Sequence, residues 1–394
     1  MMSARSLILF PILLALCACA TLPQPALPAS AWVAFDRMGE TDAGSSGLAD
    51  RAGHRRLTAD DRVRIASVSK LVVALGVMRL VEAGTLDLDR DVSDYLGWPL
   101  RNPAFPDRAI TLRLLLSHRS SLRDGIDYAV PFGTSLQSAL AAPAAFDAEH
   151  PPGAYFRYAN LNFPVIASVM ERAAGERFDA LMARLVLRPL GLDACFNWTT
   201  CGDAAVARAV VLYAQDGSVV RDDLHGRRPV CPVLAPAGCD LTSYAIGTNG
   251  ALFSPQGGLR ISMRDLARVG RMLLDRGTLG RERFLSEASV RTLTTPLWRF
   301  DGTNGDTDGG FYCAYALAVQ SLPNARSGCR DDLFGDGRAA FGHAGEAYGV
   351  RSGLWLDPAR RRGIAYFAAD LGDNPPAGRS AFKAIEERLA RNLR

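Results

Sequence analysis

Val63-Arg64-Ile65-Ala66-Ser67-Val68-Ser69-Lys70-Leu71-Val72-Val73-Ala74-Leu75 decides the reading of the chain. From Ser67 onward, Leu71, Leu75, Met78 and Val81 recur at helical spacing, and Gly84 is a fitting stop. A helix that starts at Ser67 places Lys70 one turn later on the same face. Its first turn offers unpaired backbone N–H groups and the positive end of the helix dipole, both of which favour developing negative charge. The composition singles out the lysine. Of 45 basic residues, Lys70 and Lys383 are the only lysines, and the other 43 are Arg. Arg cannot give up its proton in a protein, whereas a desolvated Lys can. A site that needs a neutral amine as a base must therefore use Lys. The competing readings are a surface Lys and a Ser67 that merely caps the helix.

The rest of the composition bounds the class. The chain has 394 residues, 48% of them hydrophobic, enough for a large core and two or three folding units. Its net charge of +4 comes from 45 basic and 41 acidic residues dispersed along the chain. Nucleic-acid binding needs clustered charge, so it is not expected. Residues 1–19 read as a signal peptide. Arg5 supplies the positive start, and Leu7 to Leu16 form an apolar run too short to span a bilayer. The run ends in Leu16-Cys17-Ala18-Cys19, which resembles the lipobox of bacterial lipoproteins and makes Cys19 the expected lipidated residue. Cleavage after Ala20 is the alternative, and both routes export the chain to the periplasmic side of a membrane. Residues 20–30 are a Pro-containing tether.

Six further cysteines suit an oxidising compartment. Sequence cannot choose rigorously among 15 pairings. Their order as three neighbouring couples predicts Cys195–Cys201, Cys231–Cys239 and Cys313–Cys329. Zinc is the rival, but no couple has zinc-knuckle spacing, and no metal site is expected. The Asp- and Gly-rich stretch 301–310 raises calcium, yet it lacks EF-hand spacing and reads as a solvated loop.

Strand patterns fall near both ends: Ala31 to Asp36, Phe311 to Val319, Ser352 to Leu356 and Gly363 to Asp370. Helical patterns dominate between, including Val165 to Ala174, Phe178 to Val186 and Met263 to Leu274, with a last helix over Ala381 to Leu393. The expected fold is α/β (α+β): an antiparallel sheet built from both termini and flanked by helices, with an inserted mostly helical domain. The boundaries are 31–85 and 295–394 for the α/β part and 86–294 for the insertion.

Ser67-x-x-Lys70 alone is a weak pattern. Two partners follow it in order: Tyr158-Ala159-Asn160, and His343-Ala344-Gly345 on a late strand. With these three motifs the chain resembles the serine beta-lactamase and penicillin-binding-protein superfamily, in the branch of class C beta-lactamases, D-aminopeptidases and family VIII esterases. Leu114-Leu115-Leu116-Ser117-His118-Arg119-Ser120-Ser121-Leu122 and Ser254-Pro255-Gln256-Gly257-Gly258-Leu259 are similar to further segments of that family. The resemblance covers about residues 31–394 and implies a beta-lactamase/transpeptidase-like fold.

It also implies roles. Ser67 is the nucleophile, Lys70 its general base, and Tyr158 a second base or a proton shuttle to the leaving group. The backbone N–H groups of Ser67 and Glu346 form the oxyanion hole. Asn160, His343, Ala344 and Gly345 contact substrate. No cofactor is expected. The substrate is a small ester, amide or peptide, and the membrane is a partner only through Cys19. His118 reads as structural and Ser69 as a local hydrogen-bonder. Tyr158 as a plain core aromatic, Asn160 as a turn residue and His343 as merely structural are the competing readings.

One departure matters. Penicillin-handling members usually carry Lys-Thr-Gly or Lys-Ser-Gly at the third motif. Here His343-Ala344-Gly345 lacks both the permanent cation and the hydroxyl that grip a carboxylate, and Glu346 adds a negative charge. The expectation is an esterase or peptidase with poor beta-lactamase activity. The alternatives are a class C-type beta-lactamase or D-Ala-D-Ala carboxypeptidase, and a sensor of the same fold that binds ligand without turning it over.

Overall fold

The structure, a computed structural model, describes residues 28–393 except 215, 221–224 and 373. The leader, Cys19 and most of the tether lie outside the described residues. Eight antiparallel strands form the main sheet. In spatial order they are Trp298–Arg299, Ala314–Tyr315, Gln320–Leu322, Ala340–Ala347, Val350–Asp357, Arg362–Ala368, Ser30–Asp36 and Glu40–Ser46. The first strand docks on the last, from Ser30↔Ala368 to Asp36↔Arg362, so the two ends of the chain close one sheet.

Both faces of this sheet are covered, and the two-residue strand period distributes the side chains. Leu354, Leu356, Ala365 and Phe367 enter one core together with Val33 and Phe35. Trp355, Ile364, Tyr366 and Ala368 enter the other, against Ile385 and Leu389 of the helix Ala384–Ala390. On the first face lie the helices Val68–Glu82 and Met263–Leu274. The second of these presses its backbone onto the sheet at Gly270, where an added Cβ would lie 2.2 Å from the Phe35 ring.

Val68–Glu82 is buried at twelve of its fifteen residues. A helix that is apolar on every side belongs inside a core, and this one runs through the middle of the molecule. Its entry is sharp. Val63–Arg64 pairs with Leu259–Ile261, and then Ala66 takes a left-handed step at φ 45° that turns the chain into the helix. Ser67 has helical dihedrals, and its side chain makes no capping hydrogen bond. The hydroxyl is thus not used as a helix cap.

Several elements differ from the sequence expectation. The stretch 311–319 is not one strand. Ala316 N–H donates to the Val319 carbonyl at 2.7 Å and Ala318 sits at φ 54°, so a tight turn separates Ala314–Tyr315 from Gln320–Leu322. The pattern over 178–186 splits into Phe178–Met182 and a wider turn over Ala183–Leu187. The final helix is confined to Ala384–Ala390, with the Glu386 carboxylate accepting from Lys383 N–H at its start. Between residues 86 and 294 the helices are mostly short, Asn162–Ala174 being the longest. Met263–Leu274 rejoins the sheet layer before residue 295, because its apolar face needs the sheet for cover. The three disulfides are Cys195–Cys201, Cys231–Cys239 and Cys313–Cys329, with Cα separations of 5.2, 5.7 and 6.0 Å. The carboxylate of Asp301 accepts from the N–H groups of Thr303 and Asn304, the bonding of a self-satisfied loop.

Candidate active site

Lys70 lies fully buried on the first turn of its helix. Its Nζ is 2.9 Å from Ser67 Oγ, 2.8 Å from Asn160 Oδ1 and 2.9 Å from the Gln256 carbonyl. Burial lowers its pKa to about 7, against an opposing pull from the Asp124 charge. These contacts set the orientation of the amine. The Asn160 amide is fixed with oxygen toward Lys70, because its Nδ2 donates to Asp124 Oδ2 at 2.9 Å. That oxygen and the Gln256 carbonyl accept two of the lysine N–H bonds. The third direction faces Ser67 Oγ. In the ammonium form it holds a proton, and in the neutral form it holds the lone pair, aimed at the serine hydroxyl.

Tyr158 is clamped in a stack. Its ring lies 4.3 Å from the ring of His118 on one side and 4.6 Å from that of Tyr312 on the other. Lys70 Nζ is 4.9 Å from its centroid. Burial holds the phenol well above its ordinary pKa, although the hydroxyls of Ser67 and Tyr312 pull the other way. Tyr158 is therefore a protonated phenol at neutral pH, which suits a proton donor or shuttle better than a base. His118 has the supporting role expected of it. Its Nδ1 accepts from Ala159 N–H at 3.1 Å and sits 2.9 Å from Asn162 Nδ2. Burial, reinforced by the neighbouring Lys70, holds its pKa well below the ordinary imidazole value. Ser69 bonds at long range instead of locally. Its Oγ accepts from Leu259 N–H at 3.1 Å and so ties the helix to the adjacent strand.

The strand Ala340–Ala347 forms the opposite wall. Gly345 is required by its approach to the helix: an added Cβ would lie 2.4 Å from the Ile65 carbonyl and 3.1 Å from Ser67 N. Tyr348 and Gly349, both at positive φ, make a two-residue turn closed by the pair Ala347↔Val350. Antiparallel alternation then makes Glu346↔Arg351 a pair that exchanges no backbone bonds. The Glu346 N–H therefore points away from Val350–Asp357, and no residue of Gln320–Leu322 pairs with Glu346. The Glu346 carboxylate forms a two-pronged ion pair with Arg351 across the strands, so its charge is compensated.

His343 departs from the expected role. It is fully buried, with Nε2 2.7 Å from the Tyr315 hydroxyl and Nδ1 2.5 Å from the Ala344 carbonyl. Burial, reinforced by Lys70, lowers its pKa to about 3. The strand period turns this neutral ring toward the helix, behind the residues that line the cleft. Ser67, Tyr158, Asn160, Ala344 and Gly345 do line the cleft, which has a volume of about 830 Å³. The chain's other lysine, Lys383, lines it too.

Three participants escaped the sequence reading: Asp124, Gln256 and Tyr312. Asp124 and Tyr312 belong to no family segment, and Gln256, inside the stretch 254–259, acts through its backbone. Asp124 carries most of the missed chemistry. It accepts from Asn160 N–H, Asn160 Nδ2 and Leu161 N–H, each at 2.9 Å, and so folds the Tyr158-Ala159-Asn160 turn around a carboxylate. Asp124→Asn removes a negative charge that favours the Lys70 cation, so the lysine pKa should fall below its present value. The acid limb of a kcat/KM profile should move to lower pH, and plateau activity should drop about tenfold as Asn160 loses its anchor. An acid limb left at the wild-type position would refute the electrostatic role.

Residues 26–387 match the family model described as Beta-lactamase. Esterase EstB of Burkholderia gladioli is 34% identical over 172 residues, 38% of this chain and 42% of that protein. Penicillin-binding protein 4 of Amycolatopsis lactamdurans is 28% identical over 250 residues, 62% of this chain and 60% of that protein. Each match thus spans less than two thirds of the relative's own length. The D-amino acid amidase of Ochrobactrum anthropi SV3 shares the fold at a TM-score of 0.67 and 17% identity, over 93% of this chain and 92% of that one. By the span of the family model and by this shared architecture, the chain belongs to the beta-lactamase family.

Proposed function

We propose that the protein is an exported serine hydrolase that works through an acyl-enzyme on Ser67 and favours esters or uncharged amides over beta-lactams. The observation that carries this reading is the Lys70 amine. It is buried, poised to be neutral near pH 7, and held 2.9 Å from the Ser67 hydroxyl with its other N–H bonds already committed. Lys70 takes the serine proton as Oγ attacks the carbonyl carbon. The Ser67 and Glu346 N–H groups receive the oxyanion, and Tyr158 protonates the departing group. The Lys70 ammonium returns its proton to the Tyr158 phenolate, water then attacks the ester on Ser67 with neutral Lys70 again as base, and the proton Lys70 takes passes to Ser67 Oγ as the acyl group leaves.

Substrate preference follows from the third motif. His343 is neutral and turned to Tyr315, and Ala344 offers no hydroxyl, so this strand supplies no grip for a carboxylate. The similarity to an esterase agrees with this preference. The three disulfides fit an oxidising compartment, in keeping with export and with a lipid anchor on Cys19.

Purified protein offered p-nitrophenyl butyrate and nitrocefin should prefer the ester by roughly a hundredfold in kcat/KM. Ser67→Ala should abolish both activities and the labelling by a fluorophosphonate. Nitrocefin turnover that rivals the ester would overturn the substrate preference. Stoichiometric labelling without turnover of any ester would favour a sensor.

A further inference from the structure

A second cavity, of about 590 Å³, lies apart from the catalytic cleft, among the end of the helix Val68–Glu82, the helix Met263–Leu274, residues 189–190 and the hairpin formed by Thr278–Leu279 and Glu282–Arg283. Four guanidinium groups line it: Arg79, Arg268, Arg271 and Arg283. The carboxylate that lines it, among the described residues, is that of Glu282.

These arginines are held differently from many others in the chain. Arg62, Arg101, Arg113, Arg264 and Arg338 all reach carboxylates at ion-pair distance. The four cavity arginines are anchored on backbone carbonyls. Arg79 Nη1 donates to Phe284 O at 2.8 Å, and Arg271 Nη2 donates to Met38 O at 2.7 Å. Arg268 donates to Leu190 O from Nε at 3.1 Å and from Nη2 at 3.0 Å. Arg283 Nη1 donates to Leu285 O at 3.2 Å. A carbonyl fixes the direction of a guanidinium without cancelling its charge, and Glu82 and Asp265 answer Arg79 and Arg268 only from a distance. The Nε atoms of Arg79 and Arg271 are also buried without a hydrogen-bond partner. Buried donors left unpaired are costly, and so are like charges gathered round one space, unless something bound there answers both.

We propose that this cavity is a binding site for a phosphate-class anion, as a small phosphate ester or a phospholipid headgroup. A carboxylate presents two acceptor oxygens in one plane. Guanidinium groups that line one cavity from two helices and a hairpin offer donors from several directions, which the oxygens of a phosphate can meet. The volume leaves room for a substituent on the phosphate. The site is independent of the hydrolytic reading, since none of its residues belongs to the catalytic cleft.

The test titrates the full-length protein at low salt with inorganic phosphate and with glycerol phosphate, using chloride at equal ionic strength as the blank. A second arm measures cosedimentation with phosphatidylglycerol vesicles against phosphatidylcholine vesicles. Arg271→Gln and Arg283→Gln serve as variants. Arg283 sits on an exposed hairpin, so its variant should keep the wild-type melting temperature and esterase activity. Saturable phosphate binding, weakened roughly tenfold or more in each variant, identifies a soluble ligand. Binding confined to phosphatidylglycerol vesicles and lost in the same variants identifies the headgroup. No binding in either arm, or binding unchanged by both substitutions, overturns the proposal.

Discussion

Lys70→Arg is expected to lower kcat/KM by about a thousandfold or more, and raising the pH should not restore it. The substitution keeps a cation on the same turn and donors for the Asn160 and Gln256 oxygens. It removes the one property that the site needs, an amine that can exist without its proton near pH 7. In the wild type, kcat/KM should rise about tenfold per pH unit below pH 7 and level off above it, because only neutral Lys70 can accept the Ser67 proton. The fall at high pH should lie beyond the ordinary phenol range, since Tyr158 is held protonated by burial. Arg is larger than Lys in a fully buried position, so Lys70→Met provides a smaller replacement that also lacks a base. Both variants should lose activity to a similar extent while keeping a cooperative melt. A Lys70→Arg enzyme with a tenth of wild-type activity would show that another group deprotonates Ser67.

The chain's own composition anticipates this result. Arg stands at 43 of 45 basic positions, while one of the two lysines is bonded to Ser67 and the other lines the catalytic cleft. Composition could therefore single out Lys70 before any fold was known. The three motifs were legible for a related reason, since each is a short run whose spacing survives in the linear chain. What stayed hidden reaches the site from elsewhere in the chain. Asp124 joins Asn160 across 36 positions, and Gln256 joins Lys70 across 186 through a carbonyl that any residue type could supply. The sheet was readable from strand-like runs near both ends of the chain. The turn over 316–319 was not, because Ala316-Leu317-Ala318-Val319 contains none of the residues that usually mark a reversal. His343 shows the limit of motif reading. Its position on the strand was foreseen, but its direction depends on Tyr315, whose hydroxyl takes Nε2 and keeps the ring behind the wall.

The second large effect should depend on the leaving group. Tyr158→Phe keeps the ring between His118 and Tyr312, so the stack that orders this part of the site should persist. It removes the hydroxyl, whose proton is retained at neutral pH because burial disfavours the phenolate. If that proton goes to the departing atom, the loss must track how much the departing atom needs it. An alkoxide or an amide nitrogen cannot leave unprotonated, so kcat/KM for an alkyl ester or an amide should fall roughly a thousandfold. A p-nitrophenolate leaves as an anion, and its ester should lose about tenfold or less. The ratio of kcat/KM values is the right readout, since it reports steps up to acylation and is blind to later hydrolysis of the acyl-enzyme. Equal losses on both substrates would place Tyr158 on the attacking side, sharing the Ser67 proton with Lys70. Unchanged activity on both would remove it from the proton path and leave the phenol a structural member of the stack. The predicted asymmetry assigns the two halves of the reaction to different groups: a neutral amine receives the proton from Ser67, and a protonated phenol delivers one to the leaving group.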